Sequence, residues 1–173
     1  MSWERVKEPA LDPMRESDVD EVLAIEKTCF SLPWSRSAFL FDLRSVDSCC
    51  MVARLGGRVV GYIIGLFVLD ELHVQNLAVQ AKYRRKGLGD KLLKSLLERA
   101  EKRGSRWAAL ELRASNEVAR RLYEKHGFRL VSVRKGYYRY PLEDALVMAL
   151  DFNTRSGDNP AGLEVQDGVV SKG

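Results

Sequence analysis

Metal binding and disulfide scaffolding have little to work with in this chain. Its 173 residues include three cysteines (Cys29, Cys49, Cys50) and two histidines. None forms a Cys-x-x-Cys pair or a zinc-type spacing, so no metal is expected, and the sparse, odd cysteine count fits a reducing compartment. Cys49 and Cys50 read as small apolar residues at a strand start, with a redox pair as the less favoured alternative. The longest apolar stretch, Val59 to Leu69, falls far short of the roughly 20 residues a spanning helix needs. The opening MSWERVKEP is too charged for a secretory signal. A cytoplasmic protein is the expectation. There is also no Gly-x-x-x-x-Gly-Lys-Ser/Thr loop, no serine nucleophile elbow and no internal repeat.

What is present describes an ordinary single domain, 46% hydrophobic and 30% charged. The net charge is only +4, but residues 82–106 hold ten Lys/Arg against three acids. Such a surplus suits an anionic partner, a phosphorylated cofactor or a nucleic acid, or else a solvated helix face.

Apolar spacing lays out the elements in the order β-α-α-β-β-β-α-β-α-β-β. Residues 10–15 make a strand, and Ser17 or Asp18 caps a helix carrying Val19, Val22, Leu23, Ile25 and Phe30. Ser35 caps a second helix through Phe39, Leu40 and Leu43. Cys49 to Leu55 and Arg58 to Leu69 form a hairpin about Gly56-Gly57, whose two glycines supply positive φ. The second hairpin strand is apolar on both faces and should be central. A further strand, Leu72 to Val79, leads through a basic link into a helix with Leu88, Leu92, Leu93, Leu96, Leu97 and Ala100 on one face. The strand Trp107 to Arg113, the helix Asn116 to His126, and a last pair, Phe128 to Tyr140 and Ala145 to Leu150, complete the domain. From Asn153 the glycine-bearing tail, without aromatics, is expected to be disordered. The fold class is mixed α/β (α+β) with a largely antiparallel sheet.

The strongest chemical signal is Arg84-Arg85-Lys86-Gly87-Leu88-Gly89, set between a strand and a helix start. Unpaired N–H groups, the helix dipole, close-approach glycines and flanking cations together suit a pyrophosphate. A basic turn is the plain alternative. On the next strand, Glu111 shares a face with Trp107, Ala109 and Arg113. A mid-strand carboxylate among apolar neighbours suits a general base, and a salt bridge to Arg113 or to a cross-strand cation suits it equally well. Tyr123 lies on the apolar side of its helix, as core packing or as a proton donor to a thiolate. Asn116 reads as a helix cap, and His73 and His126 as structural residues.

Together, the Arg84-to-Gly89 motif, Leu110-Glu111-Leu112-Arg113-Ala114-Ser115-Asn116 and Ala119-Arg120-Arg121-Leu122-Tyr123-Glu124-Lys125-His126-Gly127-Phe128 resemble the GNAT acetyltransferases over about residues 8–152. Within the family, Phe30-Ser31-Leu32-Pro33-Trp34-Ser35, Val68-Leu69-Asp70-Glu71, Asn76-Leu77-Ala78-Val79, Arg134-Lys135-Gly136-Tyr137-Tyr138 and Glu143-Asp144-Ala145 look like the bacterial branch that acetylates the N-terminal alanine of a small-subunit ribosomal protein. Leu72-His73-Val74-Gln75 leans instead toward archaeal and eukaryotic Nα-acetyltransferases.

The resemblance implies a GNAT fold of about seven strands and about four helices, with acetyl-CoA as cosubstrate. It implies that Leu77, Ala78 and Val79 hold the pantetheine arm and polarise the thioester. Arg84, Arg85, Lys86, Gly87, Leu88 and Gly89 would cradle the pyrophosphate, and Asn116 would touch pantetheine. Glu111 would accept a proton and Tyr123 donate one, while Pro33, Trp34, Tyr137 and Tyr138 would line a peptide groove. The partner implied is a protein N-terminus, with nucleic acid not required. Competing readings are a small-molecule amine acetyltransferase and a non-catalytic ribosome- or nucleic-acid-binding module.

Overall fold

One strand with two apolar faces needs a layer of helices on each side. In the computed structural model, which describes residues 8–155, that requirement organises the molecule. The strands are β1 (Ala10–Pro13), β2 (Ser48–Leu55), β3 (Arg58–Val68), β4 (Glu71–Val79), β5 (Trp107–Arg113), β6 (Arg129–Arg139) and β7 (Leu142–Asp151). The helices are α1 (Val19–Cys29), α2 (Arg36–Arg44), α3 (Leu88–Arg103), α4 (Glu117–Lys125) and a short α5 (Phe152–Arg155). One sheet runs β1-β2-β3-β4-β5-β7-β6, and every neighbouring pair is antiparallel except β4–β5.

The expected element order is the observed one. β3 buries Val60, Ile63 and Phe67 against the leucine face of α3, and Val59, Tyr62 and Ile64 against Val22, Ile25 and Phe39 of α1 and α2. The hairpin turn has φ of +58° at Gly56 and +81° at Gly57, as a turn with both central residues left-handed demands. Ser35 caps α2, its Oγ accepting the Ala38 N–H at 3.2 Å.

Three details differ from expectation: Ser17, Asp18 and the start of the tail. Ser17 falls inside a 3₁₀ turn, Glu16–Asp18, and Asp18 gives α1 no cap bond. The Asp18 carboxylate instead takes both terminal nitrogens of Arg54 at 2.8 and 2.7 Å and the Arg15 N–H at 2.8 Å. Burial alone would raise its pKa, but these donors outweigh it and hold the group below the usual carboxylate range. The tail begins later than Asn153: Phe152 is buried, the helical turn continues to Arg155, and Arg155 pairs with Glu101 at 3.1 Å. The rest of the expected disordered tail lies outside the described residues. Cys49 and Cys50 are free and half-buried, and burial pushes both thiols up, Cys50 to about 12, which disfavours thiolate chemistry there. Among the described residues, no helix is long and apolar enough to cross a membrane.

The α3 layer packs tightly against the sheet at Gly65. A Cβ there would sit 2.8 Å from Leu72 Cδ1 and 2.9 Å from Leu96 Cδ1, both on fully buried side chains. Gly65→Ala should therefore cost about 1–3 kcal/mol through overpacking. In urea, this appears as a lower midpoint at unchanged slope; an unmoved midpoint would show that the layer yields.

Candidate functional site

The parallel pair β4–β5 keeps register for only three residues on each strand, ending at His73↔Ala109. β4 is also irregular here: Ile64 faces Asn76 and Gly65 faces Val74, so Gln75 is an extra residue with no partner on β3. Beyond this bulge, β4 and β5 part. A cavity of about 510 Å³ occupies the gap, lined by Val74 to Leu77 of β4 and Glu111 to Arg113 of β5. The α1–α2 link, α4 and Tyr138 complete its walls.

The opening exposes backbone. Gln80 donates its N–H to Val60 O at 2.8 Å, and backbone groups alternate in direction along a strand. Ala78, opposite Tyr62, thus turns its polar groups to β3, while Leu77 and Val79 turn theirs toward the gap. Of the three expected thioester-contacting residues, Leu77 lines the cavity, Val79 turns its polar groups the same way without lining it, and the Ala78 side chain is buried under α1 and α2.

At the end of β4 the chain makes a 3₁₀ turn, Ala81–Tyr83, and enters the basic link. Arg85 has φ +61° and Gly87 φ +77°, so successive N–H groups curl into a concave nest at the α3 N-terminus. Gly87 is the N-cap residue and α3 has no side-chain cap, which leaves its first donors to an external acceptor. A Cβ at Gly87 would meet nothing within 4 Å, so its left-handed φ is what calls for glycine there. Arg85 and Lys86 are exposed. The Arg84 side chain is turned back, its Nε donating to Val79 O at 3.0 Å and its Nη2 to Cys29 Sγ at 3.1 Å, so it braces the nest against β4 and α1. The nest donors and cations fit a pyrophosphate.

Glu111 projects into the cavity with its side chain 11% exposed. Tyr137 donates its hydroxyl to Glu111 Oε2 at 3.4 Å, and Arg134 Nη1 stands 3.8 Å from Oε1, an ion pair without a hydrogen bond on that oxygen. The cation near Glu111 is thus Arg134, two strands away, whereas Arg113 is committed to Glu143 and to the Tyr140 and Pro141 carbonyls. Tyr123 is the buried residue of α4 and lines the same cavity. Its ring meets Phe128 edge-on at 5.6 Å, and no described residue hydrogen-bonds its hydroxyl. Burial, then the nearby Tyr138 phenol, pushes its pKa well above the ordinary phenol value, so it stays protonated at neutral pH. Burial and the Glu111 charge push Tyr138 up to about 12.

The profile of the acetyltransferase (GNAT) family matches residues 19–128. The chain belongs to the GNAT acetyltransferase family. It is 34% identical over 142 residues to the [ribosomal protein bS18]-alanine N-acetyltransferase of Escherichia coli (strain K12), covering 81% of this chain and 95% of that one. The crystal structure of the ribosomal-protein-S18-alanine N-acetyltransferase from Escherichia coli superposes with a TM-score of 0.78 at 32% identity, covering 92% of this chain and 99% of the other. Ard1 from Thermoplasma volcanium reaches the same TM-score at 25% identity, covering 84% of this chain and 98% of the other. The GNAT chain is an N-acetyltransferase, with the seven-stranded fold expected of it.

This GNAT site brings Glu111, Tyr123, Leu77, Asn116, Trp34 and Tyr138 to one cavity. Asn116 is also the α4 cap, its Oδ1 accepting the Ala119 N–H at 3.2 Å. Pro33 is exposed and is not a lining residue, and Tyr137 acts on the site through Glu111. Sequence reasoning missed Glu26. This carboxylate is 1% exposed and accepts from the Tyr62 hydroxyl, from Asn76 Nδ2 at 3.0 Å and from the Trp34 N–H at 2.9 Å. It ties the α1–α2 link to β3 and β4, and so sets the cavity wall. The signal was available: Glu26 stands one turn after Val22 on the apolar side of its helix.

Proposed function

We propose that the chain is an acetyl-CoA-dependent Nα-acetyltransferase acting directly on a protein N-terminus, that of a small-subunit ribosomal protein beginning with alanine. The observation that carries this reading is the meeting of Glu111, Tyr123 and the open β4 backbone in one cavity whose β4 wall runs on into the phosphate-type nest. A module that only tracked a nucleic-acid backbone would need the nest but not the buried acid–base pair.

The chemistry divides among this chain's residues. Glu111 takes a proton from the substrate's α-ammonium, freeing the nitrogen lone pair to form the N–C bond. The N–H groups of Leu77 and Val79 face the place where the thioester oxygen gains charge. As the C–S bond breaks, the sulfur leaves with the electron pair and Tyr123 protonates it. The second nitrogen proton replaces the one Tyr123 gave. The sum is an acetamide, free coenzyme A and one released proton. No covalent enzyme intermediate is required.

The alanine substrate follows the activity named for the Escherichia coli relatives. A broader first-residue tolerance is the second reading, favoured by the Leu72-His73-Val74-Gln75 segment. Acetyl-CoA at a hundredfold excess over its Kd should stabilise the fold by about 2.7 kcal/mol. For a domain of this size that is a rise in Tm of roughly 5–11 °C. An unchanged Tm at saturating acetyl-CoA removes the cosubstrate from the account.

A further inference from the structure

Among the described residues, two buried side-chain oxygens have no hydrogen-bond partner: Glu111 Oε1 and Gln75 Oε1. Both line the same cavity. Each lies two residues beyond the last β4–β5 register pair, His73↔Ala109, so the parallel register brings them to the same level of the gap. Glu111 is the expected base. Gln75 has no role in the chemistry derived above.

We infer that Gln75 is a second receptor for the substrate's amino group, its Oε1 accepting one N–H while Glu111 takes the proton from another position on the same nitrogen. This rests on the amine-acetylating reading of the cavity. The neighbouring polar groups are already engaged: Asn76 Nδ2 donates to Glu26, and Glu26 is filled by Tyr62, Asn76 and Trp34. Gln75 escapes that network because it is the bulged residue, released from pairing with β3. Its buried carbonyl oxygen calls for a donor. So does Glu111 Oε1, which Arg134 approaches only at ion-pair distance. One ligand atom answers two acceptors in one cavity if it carries at least two N–H bonds, as a primary amine does and a hydroxyl or thiol does not. With one N–H held by Gln75, the second N–H and the lone pair of the neutral amine share the two remaining positions, so Gln75 narrows its aim as well as its binding.

The test compares a peptide beginning with alanine and the same peptide beginning with N-methylalanine, which has one N–H fewer. The wild-type enzyme should favour the primary amine by about tenfold or more in kcat/KM. Gln75→Leu should lower kcat/KM for the alanine peptide by roughly ten- to a hundredfold and leave the KM for acetyl-CoA in place. It should also bring the ratio between the two peptides close to one. Gln75→Glu keeps an acceptor and should keep the preference, and Gln75→Met serves as the apolar variant if leucine impairs folding. A wild-type ratio that survives in the apolar variant, or equal losses on both peptides, overturns the proposal and leaves Gln75 a structural residue. If the enzyme acetylates some other primary amine and no peptide, the substrate reading fails, and the same ratio measured on that amine still decides the role of Gln75.

Discussion

Glu111→Gln lowers turnover of an N-terminal peptide by about 10²–10⁴-fold near pH 7, the range that a positioned general base contributes. At roughly 1.36 kcal/mol per decade, that is about 3–5 kcal/mol of barrier. Glutamine keeps the shape and can still receive the Tyr137 hydroxyl, so the loss isolates proton acceptance from packing. The pH dependence carries the stronger signature. Without the base, the reactive species is the amine already neutral in solution, and an α-amino group titrates near roughly 7.7–8.0. The variant's rate should therefore climb about tenfold per pH unit below that range and level off above it. The deficit against wild type narrows at high pH. A variant whose pH–rate profile parallels the wild type would take Glu111 out of proton transfer and leave it as the partner of Arg134.

The second large effect is at Tyr123. Tyr123→Phe keeps the ring on Phe128 and removes only the hydroxyl of this cavity-lining residue. If that hydroxyl protonates the departing sulfur, kcat falls by about 10²-fold or more. The KM for acetyl-CoA and the Tm should hardly move. The defect should shrink with an aryl thioester donor, because an arylthiolate leaves well without a proton. Its raised pKa fits this part, since a phenol that ionised near neutrality would have no proton to give. Full activity in the phenylalanine variant would make Tyr123 a core residue.

The elements could be read from local patterns because each depends on its own spacing: the leucine face of α3, the Gly56-Gly57 turn and the Ser35 cap all lie where the residues place them. Glu111 and Tyr123 were also legible, as polar groups set among apolar neighbours. The cavity itself was not. It exists because β4 and β5 part after three register pairs and because Gln75 bulges out of the β3 ladder, and both are consequences of pairing between distant segments. For the same reason the spacing alone leaves both Arg113, its strand neighbour, and a cross-strand cation open as the partner of Glu111. Only the β5-β7-β6 order places Arg134 there and sends Arg113 to the β6–β7 turn. Asp18 misled as a helix cap because its partner, Arg54, is contributed by a strand that joins the sheet beside it.

The proposed anion site at Arg84 to Gly89 would explain the basic surplus at its root, since Arg85 and Lys86 are exposed beside the left-handed turns of the link. Lys91, Lys94 and Lys102 continue along α3 as a solvated face opposite its buried leucines. On the proposed reading, a phosphorylated cosubstrate and an ordinary amphipathic helix would account for a charge pattern that also admits nucleic acid.

The account turns on the substrate nitrogen. The most direct measurement incubates the protein with acetyl-CoA and a panel of peptides that differ in their first residue, alanine, serine and methionine among them, each also carrying an internal lysine. The site of acetylation is then read by fragmentation mass spectrometry. The prediction is a single acetyl group on the α-nitrogen, fastest on the alanine peptide, with the lysine side chain untouched. Acetylation confined to lysine, or turnover of small free amines with none on any peptide end, would contradict it.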